Sequence, residues 1–518
     1  MRFNVNAYVA NGRIHGKPGP VNVNARPGHG IRHSLAFCIC VILFLLCFCS
    51  TTRASEFHAG PLFDRFSLTL EPGSRTEVLG PLFYSQQTES EHIWAIPPVF
   101  SYTHDTSVPF KEYDFCYPIL TYDRYGPNYR WQLLQILSFS GGPEQEESAR
   151  DRFTLFPIYF QQRSSDPSKN YTAVFPFYGH LKNRLFRDQI FFVMWPIYCQ
   201  TVKHKDLVTD NVLVPIFSVR HGDGLNGWQF WPLVGNEHKE ITRKTNGFGD
   251  VLTVPGHDSF FALWPLYLND KTGIGTTNPA YQVSSLPAFS ILRSPMRDST
   301  TIIWPFFSHI DDRDKKYREW DAPWPLIEFA RGEGKTTSRV WPFFSQSHNA
   351  SLESDFYMWP IYKYNRGQYE TLDRQRTRII FFLYSHIIDK NKETGRARQR
   401  KDLWPLFLWK KDFNGDRRLQ LIAPLEVFVP GSHKIERDYS PIWSIWRSEY
   451  SPQRAASSQS LLWNLYRHQT SPESKKCSLL FGLFQYQSGS DGKRVRLFYI
   501  PLVNTKAEKR SAMIPESR

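Results

Sequence analysis

Residues 303–310 read Ile-Trp-Pro-Phe-Phe-Ser-His-Ile, and residues 380–387 read Ile-Phe-Phe-Leu-Tyr-Ser-His-Ile. The second octet repeats the first, with Phe382 in the place of Pro305. A phrase that recurs at a fixed spacing is the signature of a repeat architecture, and it has to be recognised before any single element is assigned.

The Trp-Pro pair marks this repeat along the chain. Eight of the 16 Trp residues directly precede a Pro, whereas random placement gives about one such pair. Variants of the phrase fill the intervals, and the Pro residues recur every 16 to 22 residues where no copy is missing. The predicted unit is therefore about 19 residues long and occurs about 24 times. The eight pairs begin at Trp195, Trp231, Trp264, Trp304, Trp324, Trp341, Trp359 and Trp404.

Each unit is predicted to be one long β-strand followed by a turn, because its centre is a short run of aromatic and β-branched residues. Turn sequences such as Phe413-Asn-Gly-Asp and His221-Gly-Asp-Gly separate the units. Turns this short make consecutive strands antiparallel neighbours. The predicted fold class is all-β, an antiparallel meander of about 22–24 strands.

This register places the Trp-Pro pair at the middle of each strand. Trp and the residue after Pro then lie on one face, and an aliphatic residue, Pro and an aromatic lie on the other. Both faces are therefore expected to be apolar at mid-strand, so that the sheet needs cover on both sides. Pro has no N–H to donate, which predicts a kink or a bulge in every strand.

Two main ways of closing the meander are consistent with the repeat, and a spiral sheet is a third. Hairpins, near-identical strands and abundant aromatic residues favour a large up-and-down β-barrel, for which an outer membrane is the natural setting. A superperiod of four units favours a six-bladed β-propeller-like array. The expected apolar inward face counts against the barrel, and the long unit counts against the propeller. The barrel is the preferred prediction.

The N-terminal 54 residues are predicted to be a signal peptide with a long basic n-region. They contain six basic residues and no acid, out of a net charge of +14, and residues 35–49 form an uninterrupted apolar run. The small residues Thr52 and Ala54 follow, so cleavage is expected near Ala54. An uncleaved anchor is the alternative. The predicted organisation is 1–54 signal peptide, 55–503 one repetitive all-β domain and 504–518 a polar C-terminal tail.

The composition excludes several classes of protein. A chain with 16% aromatic residues is too apolar to be disordered, and a single long apolar run excludes a bundle of membrane helices. Only Cys116, Cys199 and Cys477 follow the signal segment. Disulfides are therefore not expected to be the framework, and Cys199 is interpreted as a small buried apolar residue.

Few motifs in the sequence indicate chemistry. His309, His386 and His468 recur four places after the Pro position, but one His in every fourth unit is too sparse for a metal site. Residues 389–400 fail as a calcium loop because Gly395 is one place late and Arg400 stands where the bidentate Glu is needed. The basic residues 396–401 are interpreted as a solvated loop that could meet anionic lipid or polysaccharide.

The sequence contains no nucleophile, zinc or nucleotide motif, so no catalytic, cofactor-binding or metal residue is assigned. The expected function is that of a non-enzymatic exported cell-envelope protein, an outer-membrane β-barrel with a structural or pore role. The alternative is a secreted or periplasmic β-repeat module that binds carbohydrate or protein. The expected partners are the lipid bilayer of an outer membrane and anionic polysaccharide or lipid; neither nucleic acid nor a cofactor is expected.

Overall fold

The computed structural model describes residues 57–59, 62–143, 150–203, 206–245, 249–490 and 492–506. The predicted signal peptide and residues 507–518 of the predicted tail lie outside the described residues. Among the described residues no helix combines the length and the hydrophobicity needed to cross a membrane.

The described chain is almost entirely β-structure, in short strands numbered β1 to β46 in chain order. The first 23 strands are Phe57–Ala59, Phe63–Ser67, Gly73–Val78, Phe83–Thr88, Glu91–Ile96, Phe100–Asp105, Phe110–Phe115, Leu120–Tyr125, Asn128–Leu133, Leu137–Gly141, Arg150–Leu155, Tyr159–Ser164, Tyr171–Val174, Tyr178–Arg184, Arg187–Val193, Tyr198–Lys203, Leu207–Val212, Phe217–Gly222, Leu225–Phe230, Val234–Lys239, Thr242–Thr245, Val251–Val254 and Gly256–Ala262. The other 23 are Tyr267–Ile274, Ala280–Ser285, Phe289–Arg293, Arg297–Ile302, Phe307–Asp312, Tyr317–Asp321, Ile327–Gly332, Thr336–Val340, Phe344–His348, Leu352–Tyr357, Tyr362–Gln368, Leu372–Ile379, Tyr384–Asn391, Ala397–Leu403, Phe407–Lys411, Arg417–Leu421, Trp446–Ser451, Ala456–Leu461, Tyr466–Thr470, Ser474–Leu479, Phe484–Gly489, Gly492–Leu497 and Ile500–Lys506.

Helical segments are few and short in the described chain. Helices α1 (His433–Asp438) and α2 (Ser440–Trp443) lie between β39 and β40. Three-residue 3₁₀ turns occupy Gly80–Leu82, Pro167–Lys169 and Leu480–Gly482. The last strand ends at Lys506, so it runs three residues into the segment predicted as a tail.

Forty-four of the strands form one sheet in which each strand pairs antiparallel with the next along the chain. The hairpin β21–β22 is separate, and β20 pairs with β23 across it. The predicted all-β antiparallel meander is therefore confirmed. Continuous pairing does not divide the sheet into four-stranded blades, so the propeller alternative is wrong. Closure of the sheet into a barrel stays a prediction.

Each 19-residue unit contains two strands, so the expectation of one long strand per unit, and of 22–24 strands, is wrong. Trp304 and Pro305 lie in the turn between β27 and β28, and a polar turn follows β28. The physical reason is the missing N–H of Pro, which suits a turn better than a central strand. The Trp304–Pro305 peptide is cis, as are 14 other X-Pro bonds.

The hydrogen-bond ladder of the sheet continues into the Trp-Pro turns. Ile303 N–H donates to the carbonyl of Ala288 at 2.7 Å, and Trp304 N–H donates to the carbonyl of Pro287 at 2.8 Å. Phe306 N–H then donates to the Ile303 carbonyl at 2.9 Å and closes the turn. Pro is tolerated here because its carbonyl accepts the last bond of the ladder, where no further N–H is required.

The same pattern joins other successive turns. The N–H of the residue before one Pro donates to the carbonyl of the preceding turn's Pro in the pairs Trp195 to Pro176, Val214 to Pro196, Trp264 to Pro232, Trp359 to Pro342 and Ala423 to Pro405. The turns are therefore bonded into a row along one edge of the sheet.

The two faces of the sheet differ in polarity, contrary to the expectation that both are apolar at mid-strand. Glu319, Glu328 and Thr337 lie on one face of β29–β31 and are at most 7% exposed. Trp320 and Phe329 lie opposite each other on the other face and are exposed. The apolar residues of the repeat lie at the turns. Because the prediction placed these residues at mid-strand, it assigned the strand residues to the wrong positions in the register.

Polar side chains on the buried face neutralise one another across strands. The Lys335 ammonium lies 2.7 Å from carboxylate oxygens of both Glu319 and Glu328, and Arg339 lies 2.7 Å from the second oxygen of Glu328. Buried charges have to be paired in this way, because an isolated buried charge is too costly to retain.

The first strands of the sheet also contact its later strands through side chains. Asn464 donates to Glu77 at 2.8 Å, and Gln469 donates to the carbonyl of Ser67 at 2.9 Å. The Arg467 guanidinium lies 3.4 Å from the centre of the Phe66 ring. We call the contact of β2–β7 with α1 and β40–β42 the polar joint.

A small apolar core lies within β12–β16. Phe192 is 4% exposed and packs with Phe160, Tyr171, Ala173 and Leu181. Cys199, partly buried, packs against this cluster, and burial raises the pKa of its thiol. This agrees with its interpretation as an apolar residue.

We expect Phe192→Ala to destabilise the protein by about 3–5 kcal/mol, because it leaves a cavity in this core. Phe186→Ala is the matched control, since Phe186 lies in the turn at the end of the same hairpin and is 100% exposed. Urea denaturation midpoints measure both effects. Equal shifts for the two variants would contradict the packing described.

Candidate functional site

A row of exposed apolar residues lies along one edge of the sheet. We call the row of turns from residues 156–158 to residues 404–406 the Trp-Pro edge. At one turn Met358, Trp359 and Ile361 are 53%, 39% and 50% exposed. Neighbouring turns repeat this exposure pattern, so the edge presents a continuous apolar row to its surroundings.

Aromatic rings of successive turns touch along this edge. The ring centres of Trp341 and Trp359 are 5.8 Å apart, and those of Trp359 and Phe381 are 5.4 Å apart. The rings of Phe382 and Trp404 follow at 5.4 Å. The interplanar angles of the three pairs are 45°, 84° and 86°, so the rings meet in the tilted and edge-on arrangements that aromatic pairs prefer.

The opposite edge is mostly polar, because alternate turns are formed by charged residues. Lys316 and Glu333 form an exposed ion pair there at 2.9 Å. Asn391 accepts from the backbone N–H groups of Glu393 and Thr394 in another such turn. The sheet therefore has one apolar edge and one polar edge.

An aromatic ladder also follows the exposed face of the early strands. The ring centres of Tyr102 and Tyr113 are 4.6 Å apart, those of Tyr113 and Tyr122 are 5.6 Å apart, and those of Tyr122 and Trp131 are 4.4 Å apart. These four residues lie on β6–β9, so the ladder crosses four adjacent strands.

The polar joint encloses a cavity of about 70 Å³. Glu449, in its wall, lies 2.7 Å from Arg447 and 3.2 Å from Arg418. Burial alone would raise the pKa of Glu449, but the two guanidinium groups outweigh it and lower that pKa to about 2. Burial opposes ionisation of Arg447 as well, yet the Glu449 carboxylate raises the pKa of Arg447.

Helix α1 supplies two cations to the other side of the polar joint. Lys434 lies 2.6 Å from Glu112 and 3.2 Å from Asp114, and Arg437 contacts both acids and Thr103. Burial and the adjacent Glu112 raise the pKa of Asp114. The polar joint pairs acids with cations from elements that are more than 300 residues apart in sequence. We interpret it as a contact that stabilises the fold.

The three recurring His residues are not brought together. His309 lies on β28, His386 on β36 and His468 on β42. Strands repeat at about 4.8 Å, so eight and six strands separate them by about 38 Å and about 29 Å of sheet. His309 stacks on Trp320 with ring centres 4.2 Å apart.

The basic residues 396–401 are not a loop, which corrects that prediction. Residues 397–403 form β37. Arg398 contacts Asp389 at 2.7 Å, and Arg400 donates to Asp402 at 2.9 Å. The alternation of Arg with other residues over 396–401 is a period-of-two pattern, and this pattern indicates one face of a strand.

Two groups of side chains have the spacing of metal ligands among the described residues. One is His348, Glu353 and Asp355, and the other is Glu319, Asp321 and Glu328. In the second group Lys335 is paired with Glu319 and Glu328, and Asp321 accepts a hydrogen bond from Ser308. Neither group carries a functional assignment here.

No known protein family matches the chain, and no curated protein resembles it at a significant level. The function of this chain therefore has to be inferred from its sequence and its structure.

We expect Glu449→Gln to destabilise the protein by about 3 kcal/mol or more at pH 7, because it leaves Arg447 and Arg418 buried with one charge partner fewer. The pKa of Glu449 is lowered from 4.5 to about 2. The carboxylate therefore contributes stability above pH about 4.5, and this contribution is lost as the pH falls toward 2.

Denaturation midpoints at pH 7, 4 and 2.5 check this expectation. The difference between wild type and Glu449→Gln should shrink over that range. Glu333→Gln is the control, since its ion pair with Lys316 is exposed and should contribute little. A difference that stays constant with pH would contradict the role given to Glu449.

Proposed function

We propose that this chain is an exported, non-enzymatic cell-envelope protein that attaches to a lipid membrane through its Trp-Pro edge. The single observation that carries the proposal is the row of exposed Trp and aliphatic side chains along the Trp-Pro edge. Soluble proteins rarely expose contiguous apolar patches above a few hundred Å². Trp is also the residue that prefers the boundary between lipid and water.

The length of the strands supports attachment by the edge. Most strands contain five to seven residues, which is about 20 Å of extended chain. A membrane-crossing strand needs about 9–11 residues. The exposed apolar row of the Trp-Pro edge occupies the turns and the adjoining strand positions, so the depth of this apolar layer suits one leaflet.

An outer-membrane barrel that spans the bilayer is the second candidate. The alternation of buried polar residues with exposed aromatic residues favours it, because barrels in membranes place polar side chains inward and apolar side chains toward lipid. The inward face that the sequence predicted is apolar, which counts against a barrel. The buried face of the structure is polar, so this objection no longer applies.

A binding module for carbohydrate or protein is the third candidate. The ladder of Tyr102, Tyr113, Tyr122 and Trp131 favours it, since exposed aromatic faces provide large rigid contact areas. Export is inferred from the N-terminal pattern in all three cases, and cell fractionation separates a membrane-bound protein from a secreted one.

We expect the protein to float with vesicles of phosphatidylethanolamine and phosphatidylglycerol, and the double variant Trp341→Ser/Trp359→Ser to bind them at least about tenfold more weakly. Each large apolar side chain removed from lipid costs about 1.5–3 kcal/mol, and about 1.4 kcal/mol is tenfold. The fraction bound at a series of lipid concentrations measures this.

Leu185→Ser/Phe186→Ser is the matched control, because these two residues are exposed and apolar but lie at the opposite edge. This variant should bind vesicles as the wild type does. Absence of flotation by the wild type, or an equal loss in both double variants, would reject the proposal.

Quenching of Trp fluorescence by brominated lipids separates attachment from spanning. Attachment by the edge predicts the strongest quenching from bromines placed within one leaflet, together with an opposite edge that stays open to protease. A spanning barrel predicts quenching at the bilayer centre and migration in detergent gels that changes on heating.

A further inference from the structure

A cluster of cations lies on the buried face of β34–β36. Lys363 pairs in register with Arg378, and Arg378 pairs with Ser385 on the next strand. Arg376 lies two residues before Arg378 on the same strand, and therefore on the same face. We call Lys363, Arg376, Arg378 and Ser385 the arginine cluster.

The acids nearest to the arginine cluster are already paired with other arginines. Asp389 is held by Arg374 and Arg398, both at 2.7 Å. Asp402, opposite Ser385 in register, accepts from Arg400 Nε at 2.9 Å and 3.0 Å. The positive charge of the arginine cluster is therefore not balanced by these two carboxylates.

Several polar atoms of the arginine cluster lack a partner in the described part of the chain. The Nε atoms of Arg376 and Arg378 and the hydroxyl of Ser385 are buried there without a hydrogen bond. Ser385 is 4% exposed. Burial, and after it the charges of Arg378 and Arg374, lower the pKa of Arg376. A buried donor without an acceptor is costly, so the arrangement gains free energy from any anion placed among these groups.

We propose that the arginine cluster is a binding site for a tetrahedral oxyanion of the phosphate class. Register pairing brings the Cβ atom of Arg378 within about 5 Å of those of Lys363 and Ser385, which lie on the two strands that flank it. Arg376 is about 7 Å further along its strand, a span that long side chains bridge. Guanidinium forks match the oxygens of a phosphate, and the Ser hydroxyl adds one more donor.

The test is titration calorimetry of the purified protein with inorganic phosphate and pyrophosphate. We expect saturable binding to the wild type, weakened about tenfold or more in Arg376→Gln/Arg378→Gln and less in Ser385→Ala. Circular dichroism and denaturation midpoints establish that the variants fold. Because the variants remove repulsion between like charges, they should be at least as stable as the wild type without phosphate.

The matched control is Arg318→Gln/Lys390→Gln, which changes the net charge equally at two exposed positions outside the arginine cluster. It should bind phosphate as the wild type does. Binding that is equal in all variants, or no binding of phosphate or pyrophosphate by the wild type, overturns the proposal.

The source of the phosphate group is distinguished by competition. If free pyrophosphate displaces the protein from phosphatidylglycerol vesicles, and Arg376→Gln/Arg378→Gln loses that displacement, the site accepts a lipid headgroup. If pyrophosphate binds through the arginine cluster without affecting vesicle binding, the ligand is a free phosphate compound. Both results support the phosphate site, and the calorimetric binding of free phosphate and pyrophosphate tests it without any vesicle.

Discussion

The hydrogen bond from the N–H before one Pro to the carbonyl of the Pro in the preceding turn determines how this sheet ends. At Trp304 that bond reaches the carbonyl of Pro287 at 2.8 Å. In this turn and in several others the bond extends the ladder of the hairpin to the carbonyl of a Pro, and the Pro that follows needs no donor of its own. Every second turn therefore lies at the same edge with its apolar side chains outward. The polar turns lie at the other edge, and the difference between the two edges follows from this one constraint.

The strands between these edges are shorter and more polar than the composition suggests. Because the apolar residues of the repeat lie at the turns, many of the middle strand positions are occupied by Ser, Thr, Arg, Asp and Glu. Their buried face is stabilised by charge pairs such as Lys335 with Glu319 and Glu328. A core of this kind depends on complete pairing, because each unpaired buried charge is costly. The arginine cluster is one of the places in the described chain where the pairing is incomplete, and a bound anion would supply the missing acceptors.

Much of the architecture was readable from the chain. The period of about 19 residues, the all-β class and the antiparallel order of the strands follow from the Trp-Pro phrase and the short turns. The position of Trp304 and Pro305 was misread, because a central run of aromatic residues resembles a strand when no pairing partner is known. Placing the pair at mid-strand halves the predicted strand count and makes both faces apolar at mid-strand, whereas the structure has twice as many strands and one polar face. Placing Pro at a turn, as its missing N–H favours, would have located the apolar edge as well.

The sequence by itself determined the repeat, the strand-forming composition and the presence of turns at fixed intervals, because these depend on residues near one another in the chain. Only the tertiary structure decided which charges meet. Glu77 and Asn464, or Asp114 and Arg437, are more than 300 residues apart and come together through the path of the whole sheet. The arginine cluster lies within residues 363–385, but its excess of cations also follows from the structure alone. It becomes visible only when the register shows that Asp389 and Asp402 are held by other arginines.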